Sequence, residues 1–152
     1  MTEIRARRKI KEGGMSAKTD GAGVCLSISS ELMSPDEIAA QLGFTPRKSF
    51  VKGTPTGQRD VPLHPCHIAM FMPDTADDST LEEQLEATIA MCEPIKHRLV
   101  KMTASCGVTI FCNYWVETQG GWTISPELCR RMAALPLHYV FSVETKKKAS
   151  RK

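Results

Sequence analysis

The chain lacks the short motifs that announce most small enzymes and metal domains. It has no CxxC pair, no GxSxG turn, no phosphate-cradling GxxxxGK[ST] loop and no HExxH pair. Dithiol redox centres, zinc ribbons, α/β-hydrolases, P-loop nucleotide binding and zincin-type peptidases therefore lose their usual signatures. No apolar run approaches the roughly 18 to 20 residues that a bilayer-spanning helix needs. The first residues do not follow the charged-then-apolar plan of a secretory signal either. These absences lead to the expectation of a cytoplasmic protein with no membrane partner.

What is present fits one folded unit. The 152 residues are 41% hydrophobic and 24% charged, the balance of a globular domain. The formal charge of +3 is uneven, because the excess lies at the two ends. Residues 1–23 carry six basic and three acidic side chains, and residues 144–152 carry five and one. The stretch between them holds nine basic and thirteen acidic residues, a net charge of −4. A body of that sign is a poor receptor for phosphate backbones, so nucleic acid is expected, if at all, only at the tails. Residues 1–23 and 145–152 are accordingly read as disordered basic ends around a single domain over residues 24–144, which is expected to fold without them. Back-translation of Lys11-Glu12-Gly13-Gly14 yields a ribosome-binding element a short distance before Met15. Met15 is therefore the expected start, with residues 1–14 as untranslated leader.

The body alternates strands and helices. Val24, Leu26 and Ile28 alternate with Cys25, Ser27 and Ser29, which predicts a strand. Ser34-Pro35-Asp36-Glu37 opens a helix with an N-cap serine and a first-turn proline, and Gly43 ends it. A short strand near Ser49–Val51 and another over His67–Met72 flank an irregular segment. Thr80 or Ser79 then caps a helix whose buried stripe is Leu81, Leu85, Ile89, Cys92, Ile95 and Leu99, interrupted by Pro94. Cys106 to Val116 is the longest alternating run, and Gly120-Gly121 is expected to turn it back into a hairpin partner over Trp122–Ile124. Ser125-Pro126 opens a last helix, and Leu137–Val143 alternates as a final strand. The expected fold is α+β: a mainly antiparallel sheet with helices on one face, ferredoxin-like, with an added strand-helix-strand.

Several of these residues resemble a known family. Ser34-Pro35-Asp36-Glu37-Ile38 with Leu42-Gly43, Pro46 and Lys52-Gly53 is similar to the opening of the bacterial domain of unknown function 4279. Gly120-Gly121-Trp122-Thr123-Ile124-Ser125-Pro126-Glu127-Leu128, running on to Leu135, is similar to its closing pattern. The likeness spans about residues 24–144. It implies a small bacterial or phage domain and brings no catalytic residues with it.

Candidate chemistry is sparse. His64, Cys66 and His67 are a cluster of soft ligands without the second closely spaced pair that a structural zinc site uses, so no metal or other cofactor is expected. Cys66 and His67 are neighbours on a predicted strand, where adjacent side chains point to opposite faces and do not share a proton. The six cysteines sit mostly on apolar faces and read as reduced core thiols. Asp74, Asp77, Asp78, Glu82, Glu83 and Glu86 gather at a helix start, where they favour the helix dipole and solvation. Trp115 and Trp122 are expected across the hairpin as a packed pair or an aromatic contact surface.

One segment reverses the sign of the body. Arg47, Lys48, Lys52 and Arg59 give the loop between the first helix and the second long strand four of the body's nine positive charges. The expected function is a non-catalytic protein-interaction module, of an immunity or host-modulating type, that binds an acidic partner through these four residues. The alternative is a small enzyme or anionic-ligand-binding domain with a pocket around the same loop.

Overall fold

The computed structural model describes residues 21–117 and 121–145. The expected extension and Met15 start, the Gly120 end of the predicted turn and the tail after Thr145 lie outside the described residues.

Five strands form one sheet: β1 Gly21–Ser30, β2 Lys48–Phe50, β3 His67–Phe71, β4 Gly107–Val116 and β5 His138–Thr145. Their spatial order is β2-β3-β1-β4-β5. The β2–β3, β3–β1 and β1–β4 pairs are antiparallel, and only β4–β5 is parallel. The helices are α1 Pro35–Leu42, α2 Leu81–Cys92, α3 Lys96–Met102 and α4 Pro126–Ala134, with a 3-10 turn at Glu93–Ile95 joining α2 to α3. The fold is thus α+β with a mainly antiparallel sheet. None of the described helices is long and apolar enough to cross a membrane.

Local chemistry sets the helix ends. Ser34 Oγ accepts from the Glu37 N–H at 3.2 Å, and Ser125 Oγ accepts from Leu128 N–H at 3.1 Å. Thr80 and Glu83 form a reciprocal capping box. Gly43 closes α1 at φ 74°, a conformation that other residues adopt at a cost. Pro94 removes a donor from the long apolar stripe, and the chain tightens into the 3-10 turn there before α3 resumes.

Register divides the sheet into two faces. Val24, Leu26 and Ile28 of β1 lie beside Cys112, Ile110 and Val108 of β4, and Leu26 and Ile28 lie beside Phe71 and Ala69 of β3. These residues join Ile38, Leu42, Leu81, Leu85, Ile89, Cys92, Leu99 and Leu128 from the helices in one buried core. The opposite face carries Lys48 and Phe50 of β2, Ile68 and Met70 of β3, Cys25 and Ser27 of β1, Phe111, Asn113 and Trp115 of β4, and Val140 and Ser142 of β5. None of the described helices contributes to it.

The strand expected from Val24 begins three residues earlier, and the reason is visible in its neighbour. Gly21 and Gly23 lie under the Trp115 ring, so that a Cβ on Gly23 would sit 3.2 Å from Cη2 and one on Gly21 3.5 Å from Cε3. Two glycines weaken a strand, and a large aromatic laid over them on the neighbouring strand restores the lost packing. Trp115 Nε1 also donates to Glu144 Oε2 of β5 at 2.9 Å.

The predicted hairpin is not formed. Residues 121–125 carry no strand, because β4 already pairs with β1 on one edge and β5 on the other and offers no free edge. Trp122 instead stacks on Phe141, with ring planes 7° apart at 5.9 Å, and meets Tyr114 edge-on at 5.7 Å. The two tryptophans are therefore not a cross-strand pair: Trp115 stands on the open face, and Trp122 joins the helix side.

One side chain completes the sheet. β3 pairs with β1 only from Leu26 onward, which leaves the β1 edge around Ala22–Val24 without a strand. The Gln84 amide of α2 takes that place: its Oε1 accepts from Val24 N–H at 3.2 Å, and its Nε2 donates to Ala22 O at 2.8 Å and Ser79 O at 3.2 Å. Replacing Gln84 with leucine keeps the volume and orphans both β1 groups. We expect a loss of about 1–3 kcal/mol in chemical denaturation, with the unfolding transition still cooperative.

Candidate functional site

Between β2 and β3 the chain leaves the sheet as an arm. Gly53 N–H donates to His64 O at 2.8 Å, His64 N–H to Thr54 O at 2.9 Å, and Thr56 N–H to Pro62 O at 3.0 Å. Pro55 and Leu63 bridge in antiparallel fashion at its centre. The hydroxyls add further ties: Thr54 Oγ1 donates to Val51 O at 2.6 Å, and Thr56 Oγ1 donates to Val61 O while accepting from Gln58 N–H. Gly53 and Gly57 take φ values of 83° and 80°, which the two bends of the arm require. The segment expected as an irregular loop is thus an ordered, self-bonded projection.

All four predicted binding residues are exposed and lie on this side of the sheet. Arg47 precedes β2 and fixes its backbone through N–H to Met70 O at 2.8 Å. Lys48 opens β2 beside Met70 on the open face. Lys52 starts the arm, and its N–H donates to His67 Nδ1 at 3.1 Å. Arg59 stands at the far turn, next to Asp60. Among the described residues, no hydrogen bond or ion pair engages any of the four cationic groups.

Sequence reasoning missed the apolar members of the arm. Val51, Val61 and Leu63 are 47%, 44% and 52% exposed, a large apolar surface for one short segment. The arm and the strand it leaves therefore offer both cations and exposed aliphatic side chains. The signal was present, since valine and leucine are out of place in a loop that is merely solvated.

The two histidines near the arm are engaged locally: His64 stacks on Phe50 at 4.6 Å, and His67 Nδ1 accepts from Lys52 N–H. Among the described residues, no group of three or more His, Cys, Asp or Glu side chains comes together as a metal site would require.

The glutamates at the α2 start do more than solvate. Glu82 Oε1 accepts from the Ser125 N–H at 3.1 Å and ties α2 to the start of α4. Arg131 of α4 grips Glu93 through Nε at 3.2 Å and Nη2 at 2.6 Å, and Glu86 through Nη1 at 3.3 Å. The hydrogen bonds from Arg131 hold the Glu93 carboxyl below its ordinary range. These ties are scaffolding on the helix side.

With this geometry in hand, the likeness seen in the sequence becomes a membership. The family described as Domain of unknown function (DUF4279) matches residues 18–146, most of the chain. The chain belongs to this family. Comparison with curated proteins and with solved structures gave no match. The DUF4279 assignment covers every described strand and helix and assigns no chemistry to any of them.

The thiols of Cys25, Cys92 and Cys112 offer little nucleophilic capacity. Cys25, Cys92, Cys106 and Cys112 are buried and unpaired with one another. Burial, with a smaller push from Glu93, raises the Cys92 thiol to about 12, and burial aided by Cys25 raises Cys112 to about 12. Cys25 is raised as well, again by burial. A raised folded-state value means that the unfolded chain ionises first. Stability is full below the ordinary thiol value of 9.0 and is lost as pH rises through the window up to about 12. Each such thiol then contributes a slope of about 1.4 kcal/mol per pH unit. We expect a disulfide reagent at neutral pH to label exposed Cys129 at once and half-buried Cys66 more slowly. Cys25, Cys92 and Cys112 should react only on denaturation, and the melting temperature should fall steadily above pH 9.

Proposed function

We propose that this DUF4279 chain is a non-catalytic protein-interaction module of an immunity or host-modulating type, acting in a bacterial cytoplasm, that binds an acidic partner through the arm. The carrying observation is that the arm is held by its own hydrogen bonds and carries Lys52 and Arg59 with exposed Val51, Val61 and Leu63, while Arg47 and Lys48 stand exposed at the β2 strand from which it leaves. A pre-ordered segment loses little freedom on binding, so its contacts convert efficiently into affinity. Cations in an otherwise acidic body steer an oppositely charged partner, and the aliphatic side chains supply surface to bury once it arrives.

The pocket reading has less support. The threonine hydroxyls of the arm are turned inward to Val51 O and Val61 O, and the His67 acceptor nitrogen is taken by Lys52 N–H. A ligand site needs polar groups that converge on a shared point, and here the hydroxyls and the His67 nitrogen are spent on the arm itself. Buried, reduced thiols are in keeping with the cytoplasm. The fold admits a finer reading on the same footing: the order β2-β3-β1-β4, antiparallel throughout, supports a ferredoxin-like unit to which α4 and β5 are added.

The test is a comparison of the wild-type chain with a variant in which Arg47, Lys48, Lys52 and Arg59 are all serine. Both are used as bait in lysate of the cells that carry the gene. The variant should melt within a few degrees of wild type, since exposed charges add little stability. Wild type should retain an acidic protein that the variant does not, and retention should weaken as salt rises. Equal retention by both would overturn the arm as the binding element.

A further inference from the structure

The far edge of the sheet carries a second feature. β5 is the outermost strand on that side, with no further strand beyond it among the described residues. An edge strand presents a row of unpaired N–H and C=O groups, and proteins usually blunt such a row with proline, lysine, a bulge or a short length. β5 has none of these within it: it runs for eight residues, His-Tyr-Val-Phe-Ser-Val-Glu-Thr. Val140, Phe141 and Val143 are 41%, 37% and 51% exposed along it.

The strand is complementary to itself in one antiparallel register. A two-fold axis through the sheet keeps each face continuous, so residues of like parity must face one another. Centring the axis on Phe141 places Phe141 opposite Phe141, Tyr139 opposite Val143, and Val140 opposite Ser142. It also places His138 of one copy opposite Glu144 of the other, twice. Aromatic, aromatic–β-branched and charge-complementary pairs are the cross-strand combinations that stabilise sheets. Glu144 already uses Oε2 to accept from Trp115, and Oε1 has no partner among the described residues. Moving the axis by one residue in either direction breaks the His138–Glu144 match.

From this self-complementarity we infer that β5 is a dimerisation edge: two copies of the chain pair β5 to β5, antiparallel and centred on Phe141, in one continuous ten-stranded sheet. The pairing adds about six to eight main-chain hydrogen bonds. It lies at the opposite edge from the arm, so it is independent of the proposed function and leaves both arms free.

Mass measurement by light scattering across a dilution series tests it, together with crosslinking. Wild type, Val140→Thr and the fourfold serine variant of the arm should show two-chain mass at the upper concentrations. Val140→Lys, with a charge set on the edge, should show one-chain mass and an unchanged far-ultraviolet spectrum. In a Cys129→Ser background, Phe141→Cys should form a disulfide-linked dimer under mild oxidant, because facing Cα atoms are about 4.5–5.5 Å apart. Val143→Cys should not, because its copy would lie roughly 13 Å away. A one-chain mass for wild type, a two-chain mass for Val140→Lys, or linkage through Val143→Cys in place of Phe141→Cys would each overturn the inference.

Discussion

The architecture rests on the central position of β1. It is paired on both edges, to β3 and β4, and its residues from Val24 to Ile28 are buried on both faces. A strand in that position must satisfy every backbone group within the protein, since water cannot reach it. The short β3 leaves part of that obligation unmet, and Gln84 meets it from a helix. The long β4 covers the other edge in full and in turn carries β5. The placement of α2 follows from the same constraint, because the helix that supplies Gln84 also buries Leu81, Leu85, Ile89 and Cys92 against the sheet.

The two ends of the sheet have different characters. On the β2 side the edge strand is three residues long, and the chain continues as the cationic arm, a projection with charge and aliphatic surface. On the β5 side the edge is long and free of lysine and proline. The helix layer behind both is fastened by ion pairs and caps of modest individual strength, with Arg131 linking α4 to Glu86 of α2 and to Glu93 of the 3-10 turn. The thiols of Cys25, Cys92 and Cys112 are raised by burial, and His64 and His67 are engaged in local contacts.

Much of the fold is legible in the sequence because its signals are local. Ser34-Pro35, Thr80 with Glu83, and Ser125-Pro126 mark helix starts through contacts of three residues' reach. The stripe from Leu81 to Leu99 follows the helical period and is buried in full. The failures are non-local. Gly120-Gly121 followed by Trp122 reads as a turn and return strand, yet whether a strand can return depends on a free edge, and β5, sixteen residues further on, takes it. The arm's order depends on a ladder between Gly53–Thr56 and Pro62–His64 that no periodicity announces. Gln84 sits on a helix face like any polar residue, and its partners lie about sixty positions earlier in the chain. The four basic residues were visible by composition alone, whereas the aliphatic side chains that accompany them were not.

The indole of Trp115 adds a constraint of a different kind. It lies flat over two neighbouring glycines but at unequal heights, so the two positions do not tolerate change equally. A methyl group at residue 21 makes ordinary contact with the ring, and one at residue 23 presses on it by a few tenths of an ångström. The ring cannot lift without disturbing its bond to Glu144, so a single added carbon on β1 is felt two strands away. Residues 23, 115 and 144 are therefore mechanically coupled: a larger side chain at 23 pushes on the ring at 115 and so on its bond to 144. Among homologues, the size of residue 23 should be read together with the ring at 115 rather than alone.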